Sequence, residues 1–247
     1  MRTLLRRLLG IAAEAPAPPL PPAPAGPNYK AAWDAAAATG AEDAILTGAS
    51  ADFFEFAGQK DAAIVRRFLS GGEAVLNIGC GIGRVERYLA PDVRELWAVD
   101  VSGEMIRRAR ERLAGLTNVH LREVGNREFL SAFEDERFDL VFSFLALQHL
   151  EKEDAYLYLR DAFRVLKPGG LLVTQFPNLT SEPYTRAFIE GAAVADRSPG
   201  RMRASTEAEV RHTLETCGFD VDELWLGGHH DAEAEIYVAA RKPPKPG

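Results

Sequence analysis

The sequence predicts an α/β fold with a doubly wound, seven-stranded, mostly parallel sheet, an antiparallel C-terminal hairpin strand and a helical N-terminal cap. From residue 74 onward, short runs rich in Val, Leu and Ile alternate with segments of helical period, as in β–α units around a parallel sheet. Two final apolar runs, at residues 219–226 and 233–240, alternate sides and flank a glycine-containing turn, which is typical of an antiparallel hairpin. The cap is predicted over residues 28–70, an aromatic-rich helical region.

Five apolar runs predict the parallel strands, and helical segments connect them. Ser102 is placed to cap the second of these helices, with Glu104 in its first turn. The Lys-Pro-Gly-Gly sequence at residues 167–170 predicts the end of the long helix, because proline lacks a backbone donor and glycine permits positive φ. The predicted strands are residues 74–78, 95–100, 119–123, 138–142 and 171–175, and the predicted helices are residues 84–89, 103–113 and 154–166, with a short turn near 127–131.

Residues 178–204 break this alternation. Pro183, Gly191 and Pro199 occur there among aromatic and apolar residues. Loops of this length in compact domains are usually lids or binding elements, so we expect a substrate-side insert. Beyond it, Thr206 with a Glu three positions later forms a capping box for a helix that is ended by a glycine at position 218.

Charge is unevenly distributed along the 247 residues, whose formal net charge is −7. Residues 1–27 carry +2 and residues 241–247 carry +3, which leaves −12 on residues 28–240. A body this acidic repels phosphate backbones, which disfavours a broad nucleic-acid-binding face. Cys80 and Cys217 are far apart and outside any metal-binding spacing. Neither a disulfide framework nor a metal site is therefore predicted, and a reducing cytoplasm is the expected setting.

The chain divides into three parts. Residues 1–27 combine a basic amphipathic helix with an Ala/Pro-rich linker, residues 28–242 form the predicted globular domain, and residues 243–247 form a disordered tail. In residues 1–11 the leucines face away from three arginines, which is typical of a weak membrane-surface contact. A frayed terminus without function is the competing interpretation. No stretch approaches the roughly 20 apolar residues of a membrane span.

The first strand runs directly into a glycine loop, Gly-Cys-Gly-Ile-Gly at residues 79–83, which a helix follows. This arrangement brings backbone N–H groups close to a ligand at a helix N-terminus. A dinucleotide fingerprint needs glycine at the first, third and sixth positions, whereas here the sixth position is Arg84, which argues against NAD. Asp100 stands 21 positions after Gly79, at the carboxyl end of the adjacent strand, where ligands of open α/β sheets bind.

The glycine motif resembles motif I of the class I S-adenosylmethionine (SAM)-dependent methyltransferases, and three further segments resemble later family motifs in the same order. Residues 96–102 resemble the second motif, residues 138–150 the fourth strand and its following loop, and residues 166–173 the turn into strand five. The resemblance covers roughly residues 61–240. It implies a Rossmann-like methyltransferase domain over residues 28–242, of the small-molecule type, with SAM as its cofactor.

The resemblance also implies the cofactor site. In the family an acidic residue ending the second strand accepts hydrogen bonds from both ribose hydroxyls, and here that residue is Asp100. After strand three many members carry an acidic residue for the adenine amino group, whereas this chain has Asn126, whose side-chain oxygen can accept the same bond without a charge. The implied cofactor-binding residues are Gly79, Cys80, Gly81, Gly83, Asp100, Val101, Met105, Asn126, Arg127 and Ser143.

Methyl transfer from a sulfonium requires an in-line approach, and proximity and desolvation can supply most of the acceleration, so a base is optional. Gln148 and His149, in the loop after the fourth strand, are the candidate catalytic residues; packing or capping is the competing interpretation for His149. His229 and His230 are expected to be exposed in the final hairpin turn. The predicted substrate-side residues are Tyr29, Trp33, Phe56 and Tyr184.

The expected acceptor is a small or lipid-like molecule with an O or N nucleophile. Residues 143–146, Ser-Phe-Leu-Ala, replace the Asn/Asp-Pro-Pro-aromatic run that positions a flipped base in DNA methyltransferases of the superfamily. Two alternatives stay open. One is a non-catalytic SAM-binding partner subunit. The other is an aminopropyltransferase, which needs a carboxylate-rich site after strand four that residues 143–148 do not supply. The sequence leaves the oligomeric state undetermined.

Overall fold

The computed structural model describes residues 27–125, 128, 130–194, 201–229 and 231–245. Helices and strands alternate through most of this range, with short 3-10 turns at Ala90–Asp92 and Leu147–His149. The helices are α1 (Tyr29–Ile45), α2 (Ala51–Arg66), α3 (Glu86–Leu89), α4 (Gly103–Arg112), α5 (Lys152–Val165), α6 (Glu182–Ala193) and α7 (Glu207–Cys217). The strands are β1 (Ala74–Ile78), β2 (Glu95–Asp100), β3 (Val119–Glu123), β4 (Phe138–Ser143), β5 (Leu166–Pro177), β6 (Asp220–Gly227) and β7 (Glu235–Arg241).

The strands form one sheet in the order β3-β2-β1-β4-β5-β7-β6. Strands β1 to β5 pair in parallel, whereas β7 is antiparallel to both β5 and β6. The predicted fold class, including the antiparallel C-terminal strand, is confirmed. The strand order reverses between β1 and β4, and in open α/β sheets ligands bind at the carboxyl ends of the strands beside such a switch point.

Hydrophobic periodicity locates the central strands because each of them is buried on both faces. Every residue of β1 is buried, so the strand is a continuous apolar run with one polar member, Asn77. Its Leu76 and Ile78 belong to the core beneath α5 and α7, whereas Val75 packs with α2 and α3 on the opposite face. The sheet is therefore covered by helices on both faces, and the loops at the carboxyl ends of its strands form the site.

Strand β5 is longer than the sequence predicts. It begins at Leu166, immediately after α5, and includes the Lys-Pro-Gly-Gly segment that was expected to be a helix terminator between the two elements. The pairing of β4 with β5 shifts register between Phe138 and Leu140, so this segment is an irregular start to the strand. Gly169 adopts φ +83° there and its N–H donates to Lys242 O over 2.8 Å, which gives the segment a β partner despite its breakers.

The insert at residues 178–204 contains a helix, α6, that the sequence analysis did not predict. Pro183 occupies the first turn of α6, where a missing backbone N–H costs nothing, and Ser181 is the N-cap residue. No residue of α6 is buried, and its Phe188 and Ile189 are 61% and 60% exposed. Proline here therefore starts a helix, and this surface helix has no buried stripe to reveal it.

The helical N-terminal cap consists of α1, which is kinked at Gly40, and α2. Asp34 of α1 accepts hydrogen bonds from Ser102 Oγ (2.6 Å) and Glu104 N (3.2 Å), so the cap is fastened to the start of α4. Ser102 also caps α4 as predicted, by accepting from Met105 N. The predicted amphipathic helix and most of its linker, residues 1–26, lie outside the described residues. Within the described residues, no helix is long and apolar enough to cross a membrane.

Candidate functional site

The glycine loop after β1 is closed on itself by hydrogen bonds. Gly79 N and Cys80 N both donate to Val99 O, over 2.8 and 3.0 Å, and Gly81 N donates to Asp100 Oδ2 over 2.9 Å. Gly79 has φ +79°, and a Cβ there would lie 2.2 Å from the Cβ of Ala146. Contrary to the sequence-based expectation, these three amides are used within the protein.

Asp100 is held rigidly at the end of β2. Its Oδ2 accepts from Gly81 N and its Oδ1 from Ser102 N, each over 2.9 Å. Burial raises the pKa of the carboxyl, while these backbone donors act in the opposite direction. Because each carboxylate oxygen has a second lone pair, Asp100 can still accept from a pair of vicinal hydroxyls. A ribose diol therefore fits this position.

A cleft of about 880 Å³, including the part open to solvent, opens at the carboxyl ends of β1, β2 and β4. Its lining combines the glycine loop and Asp100 with apolar residues from the cap and from the loop after β4. The apolar lining residues are Trp33, Ile45, Ile78, Val85, Val99, Val101, Met105, Val124, Phe144, Leu145, Ala146, Leu147 and Leu150, and the remaining ones are Asn77, Gly79, Cys80, Gly81, Arg84, Asp100 and Tyr158.

Most of the implied cofactor residues line this cleft, but two do not. Ser143 is 1% exposed, and its hydroxyl donates to Ile78 O over 2.8 Å, so it joins β1 to β4 beneath the cleft. Gly83 permits close packing, because a Cβ there would lie 2.6 Å from Leu113 Cδ1. Asn126 and Arg127 lie outside the described residues, so their assignment stays a prediction.

Cys80 lines the cleft as a structural residue. Burial, with the charges of Glu86 and Asp100, raises the pKa of its thiol well above the usual value. A thiol with a raised pKa is a poor nucleophile at neutral pH. The Cys80 N–H donates to Val99 O within the protein, so the expectation that Cys80 offers its backbone to the cofactor stays a prediction.

The two candidate catalytic residues lie behind the cleft wall. Gln148 is 4% exposed, and its Oε1 accepts from Gln175 Nε2 over 3.1 Å. The His149 ring packs edge-on against Trp33, with 4.9 Å between ring centroids. Neither belongs to the cleft lining, whereas Trp33 does. The geometry gives His149 a packing role against the cap and Gln148 a role in fixing the loop, so a catalytic role for either stays a prediction.

The other three predicted substrate-side residues lie outside the cleft lining. The hydroxyl of Tyr29, which is 2% exposed, donates to Asp154 Oδ2 (2.7 Å) and accepts from Glu151 N (2.9 Å). Tyr29 therefore attaches α1 to α5 and does not line the cleft. Phe56 is 48% exposed on α2 and also lies outside the lining. Tyr184 donates from its hydroxyl to Glu235 Oε1, which connects the insert to β7.

The structure contains a buried cluster of ionisable side chains, Asp61, Arg84 and His229, that the sequence did not predict. Asp61 of α2 is 1% exposed; its Oδ2 accepts from Arg84 Nη2 (2.6 Å) and its Oδ1 lies 3.0 Å from His229 Nε2. These partners hold the pKa of Asp61 below its usual value. The expectation that His229 is exposed is wrong, since its side chain is only 9% exposed, and His230 lies outside the described residues. The one sequence signal was Arg84, a cation directly after the glycine loop.

A second buried pair lies beneath the glycine loop. Glu86 of α3 is fully buried and accepts a hydrogen bond from Asn77 Nδ2. Burial raises the pKa of Glu86 to about 7. Asn77 reaches the cleft lining, so Glu86 supports the cleft from behind. Among the described residues, no group of three or more His, Cys, Asp or Glu side chains could hold a metal ion.

Known proteins resemble this chain in sequence and in fold. A methyltransferase-domain family model matches residues 75–170. Demethylmenaquinone methyltransferase of Tropheryma whipplei (strain Twist) is 29% identical over 183 residues, which are 68% of this chain and 74% of that protein. Ubiquinone/menaquinone biosynthesis C-methyltransferase of Salmonella newport (strain SL254) is 34% identical over 174 residues, which are 66% of this chain and 64% of that protein.

Among solved structures, magnesium protoporphyrin IX methyltransferase of Synechocystis PCC 6803, with bound S-adenosylhomocysteine (SAH), has a TM-score of 0.66 at 17% identity. The likeness covers 86% of this chain and 97% of that one, and at this identity it shows a shared fold. Residues 75–170 therefore match a methyltransferase domain, and in its sequence relatives and its fold the chain is similar to the class I SAM-dependent methyltransferases.

Proposed function

We propose that the chain transfers a methyl group from SAM to a small, partly apolar acceptor that enters beside the loop after β4. The observation that carries this proposal is the contrast within the cleft. The glycine loop and Asp100 suit a ribose-bearing cofactor, whereas Trp33, Ile45 and Leu145 add apolar surface to the same cavity. Apolar pockets with a few fixed polar groups favour acceptors with rings or hydrocarbon chains.

The residues of the cleft fit SAM and support transfer by orientation and desolvation. Asp100 would accept from the ribose hydroxyls, and Gly79 and Gly81 would let the cofactor approach the backbone. When bound, SAM supplies an activated sulfonium methyl group. The protein then has to exclude water and align the acceptor, which effects of proximity and desolvation can accomplish.

No lining residue within the described part of the chain is suited to act as a general base at neutral pH. Burial raises the pKa of the Cys80 thiol and of the Tyr158 hydroxyl, and Asp100 is engaged by backbone donors. Arg84 is a cation whose Nη2 donates to Asp61. The proposal therefore assigns the acceleration to positioning, with an acceptor that arrives already nucleophilic or loses its proton to solvent.

The next question is which atom of the acceptor receives the methyl group. The sequence analysis favours oxygen or nitrogen, whereas the Salmonella relative is named a C-methyltransferase and the Tropheryma relative acts on demethylmenaquinone by its name. Both names favour an apolar ring system as the acceptor. We therefore propose an apolar ring-bearing acceptor that carries a hydroxyl or amine, and we treat ring carbon as the alternative methylation site.

Transfer can be measured with labelled SAM and three matched acceptor pools: hydroquinones with prenyl chains, simple phenols and aryl amines. We expect methylated product from at least one pool, with chromatography and mass spectrometry identifying the methylated atom. An aminopropyltransferase would instead transfer the aminopropyl group of decarboxylated SAM to a diamine and release 5′-methylthioadenosine, so this donor with a diamine pool provides the separate assay for that activity. SAM binding without transfer to any pool would contradict the proposal and favour a non-catalytic SAM-binding subunit.

Cofactor binding is tested separately with Asp100→Ala. A hydrogen bond to a charged group contributes about 1.5–3 kcal/mol, and about 1.4 kcal/mol corresponds to a tenfold change in Kd. Loss of two such bonds should weaken SAH binding by at least about a hundredfold in calorimetry. Asp34→Asn is the matched control, because Asp34 caps the neighbouring α4 and lies outside the cleft lining. Equal SAH affinities for wild type and Asp100→Ala would remove Asp100 from the cofactor site.

A further inference from the structure

The loop after β4 forms part of the cleft wall in a strained conformation. Leu145 has φ +56°, in the left-handed region that a leucine rarely adopts, and its side chain lines the cleft. The next residue, Ala146, packs so closely on Gly79 that a Cβ on that glycine would lie 2.2 Å away. The position of this loop therefore sets the width of the cleft at the glycine loop. A strained backbone persists only where its surroundings determine it.

Gln175 of β5 holds the loop in this conformation. It is 2% exposed, and its Oε1 accepts from Leu145 N over 2.9 Å. Its Nε2 donates to Gln148 Oε1 over 3.1 Å and to Glu235 Oε2. The amide therefore uses its oxygen and both of its N–H groups. Turning the amide over would place its NH₂ against the Leu145 N–H and its oxygen against a carboxylate, so only one orientation is compatible with all three partners.

Glu235 fixes this amide from the antiparallel strand β7. It is 6% exposed, and besides Gln175 it accepts from the hydroxyl of Tyr184 in α6. Burial raises the pKa of its carboxyl. Glu235 is thus shared between the loop that borders the cleft and the insert that the sequence predicts to be on the substrate side. A buried carboxyl of this kind is costly unless its partners are retained.

We propose that Gln175 and Glu235 are positioning residues: their buried pair holds Leu145 in its strained conformation and so fixes the cleft wall, and Tyr184 extends the same control to α6. The inference concerns the shape of the cleft. It rests on the proposed function only where it describes α6 as the acceptor side. Binding of SAH and exchange of backbone amides can therefore test it without any acceptor.

The first test is Gln175→Met, which keeps the approximate volume and removes all three hydrogen bonds. The Leu145 amide should exchange about tenfold faster in hydrogen–deuterium exchange, and SAH should bind about tenfold more weakly, as loss of one backbone acceptor predicts. The matched control is Thr174→Val. Thr174 is the buried neighbour of Gln175, but its hydroxyl donates to Ser143 O in β4 and not to the loop. It should lower stability while leaving Leu145 exchange and the SAH affinity unchanged.

A double variant that exchanges the two residues, Gln175→Glu with Glu235→Gln, tests whether their interaction can be restored. Glu at position 175 can still accept from Leu145 N, and Gln at position 235 can donate across the same contact, so Leu145 protection and SAH affinity should return towards wild type. If Gln175→Met and Thr174→Val showed the same exchange rate at the Leu145 amide and the same SAH affinity, the proposal would be overturned. Gln175 would then be a structural residue only. Failure of the exchanged pair to recover relative to Gln175→Met would also overturn it.

The link to α6 is tested with Tyr184→Phe, which removes only the hydroxyl bond to Glu235. Amide exchange across α6 should accelerate, while the Leu145 amide stays protected. Unchanged exchange in α6 would overturn the link. These outcomes do not depend on methyl transfer: a wild-type protein that transfers to no acceptor pool would defeat the proposed function, and the exchange comparison would still decide the positioning role.

Discussion

The buried carboxyl of Glu86 should make stability fall as the pH rises. Glu86 is fully buried in α3 beneath the glycine loop, and burial raises its pKa from 4.5 to about 7. Between these two pH values the folded protein binds a proton at Glu86 that the unfolded chain releases. The stabilisation is fully present below about pH 4.5 and is lost as the pH rises through about 7.

The size of the effect follows from the shift. A difference of about 2.5 pKa units at about 1.4 kcal/mol per unit corresponds to roughly 3 kcal/mol at most. That is a large share of the 5–15 kcal/mol typical of a folded domain. Replacing Glu86 with Gln keeps the shape and the acceptor for Asn77 Nδ2 while removing the titration. The Glu86→Gln variant should therefore have a flatter stability profile and should exceed wild type in stability near pH 8.

The assay is urea unfolding of both proteins between pH 5 and pH 8, followed by circular dichroism. The quantity of interest is the difference between wild type and Glu86→Gln, because Asp100 and Glu235 also have raised pKa values and contribute to both profiles with the same sign. Glu182→Gln is the control, since Glu182 is 75% exposed on α6 and should leave the profile unchanged. Parallel profiles for wild type and Glu86→Gln would refute the assignment of a proton to Glu86.

Two further predictions concern the glycine loop and the cap. Gly79→Ala places a Cβ 2.2 Å from the Cβ of Ala146, at a residue with φ +79°. It should displace the loop and weaken SAH binding by more than about tenfold in calorimetry. An unchanged Kd would contradict the placement of SAH beside this loop. Tyr29→Phe removes two hydrogen bonds between α1 and α5 and should cost about 1–3 kcal/mol in urea unfolding. The SAH affinity of Tyr29→Phe should match that of wild type. A large loss of affinity would instead indicate that Tyr29 belongs to the binding site.

The sheet could be predicted closely because its signals are local. Strands β1, β2 and β3 have the predicted bounds residue for residue. The first two are short, mainly apolar runs, whereas β3 alternates apolar and polar residues in its first four positions, Val-His-Leu-Arg. Helix α7 also has its predicted ends, with Thr206 accepting from Glu209 N at one and Gly218 at φ +103° at the other. Periodicity, caps and glycine positions act over a few residues, so one sequence is enough to read them.

The parts that could not be predicted depend on partners distant in sequence. Tyr29 and Trp33 are four residues apart on one helix, yet Trp33 lines the cleft and Tyr29 turns to Asp154, 125 positions away. Asp61 meets Arg84 and His229 only because α2, the glycine loop and the final hairpin converge. Nothing within a window of a few residues specifies these pairings. The sequence therefore identified the site's backbone better than its side chains.

The hydrogen bonds of the glycine loop explain why this site suits a cofactor without a phosphate. A pyrophosphate site presents free backbone N–H groups at a helix N-terminus. Here Gly79 and Cys80 donate to Val99 O, and Gly81 donates to Asp100, so the same amides instead lock the loop to the neighbouring strand. Asp100 thereby becomes the polar group that the loop offers to a ligand, and its orientation depends on Gly81. Because loop and carboxylate form one unit, changes at Gly81 and Asp100 should be less than additive in their effect on SAH affinity.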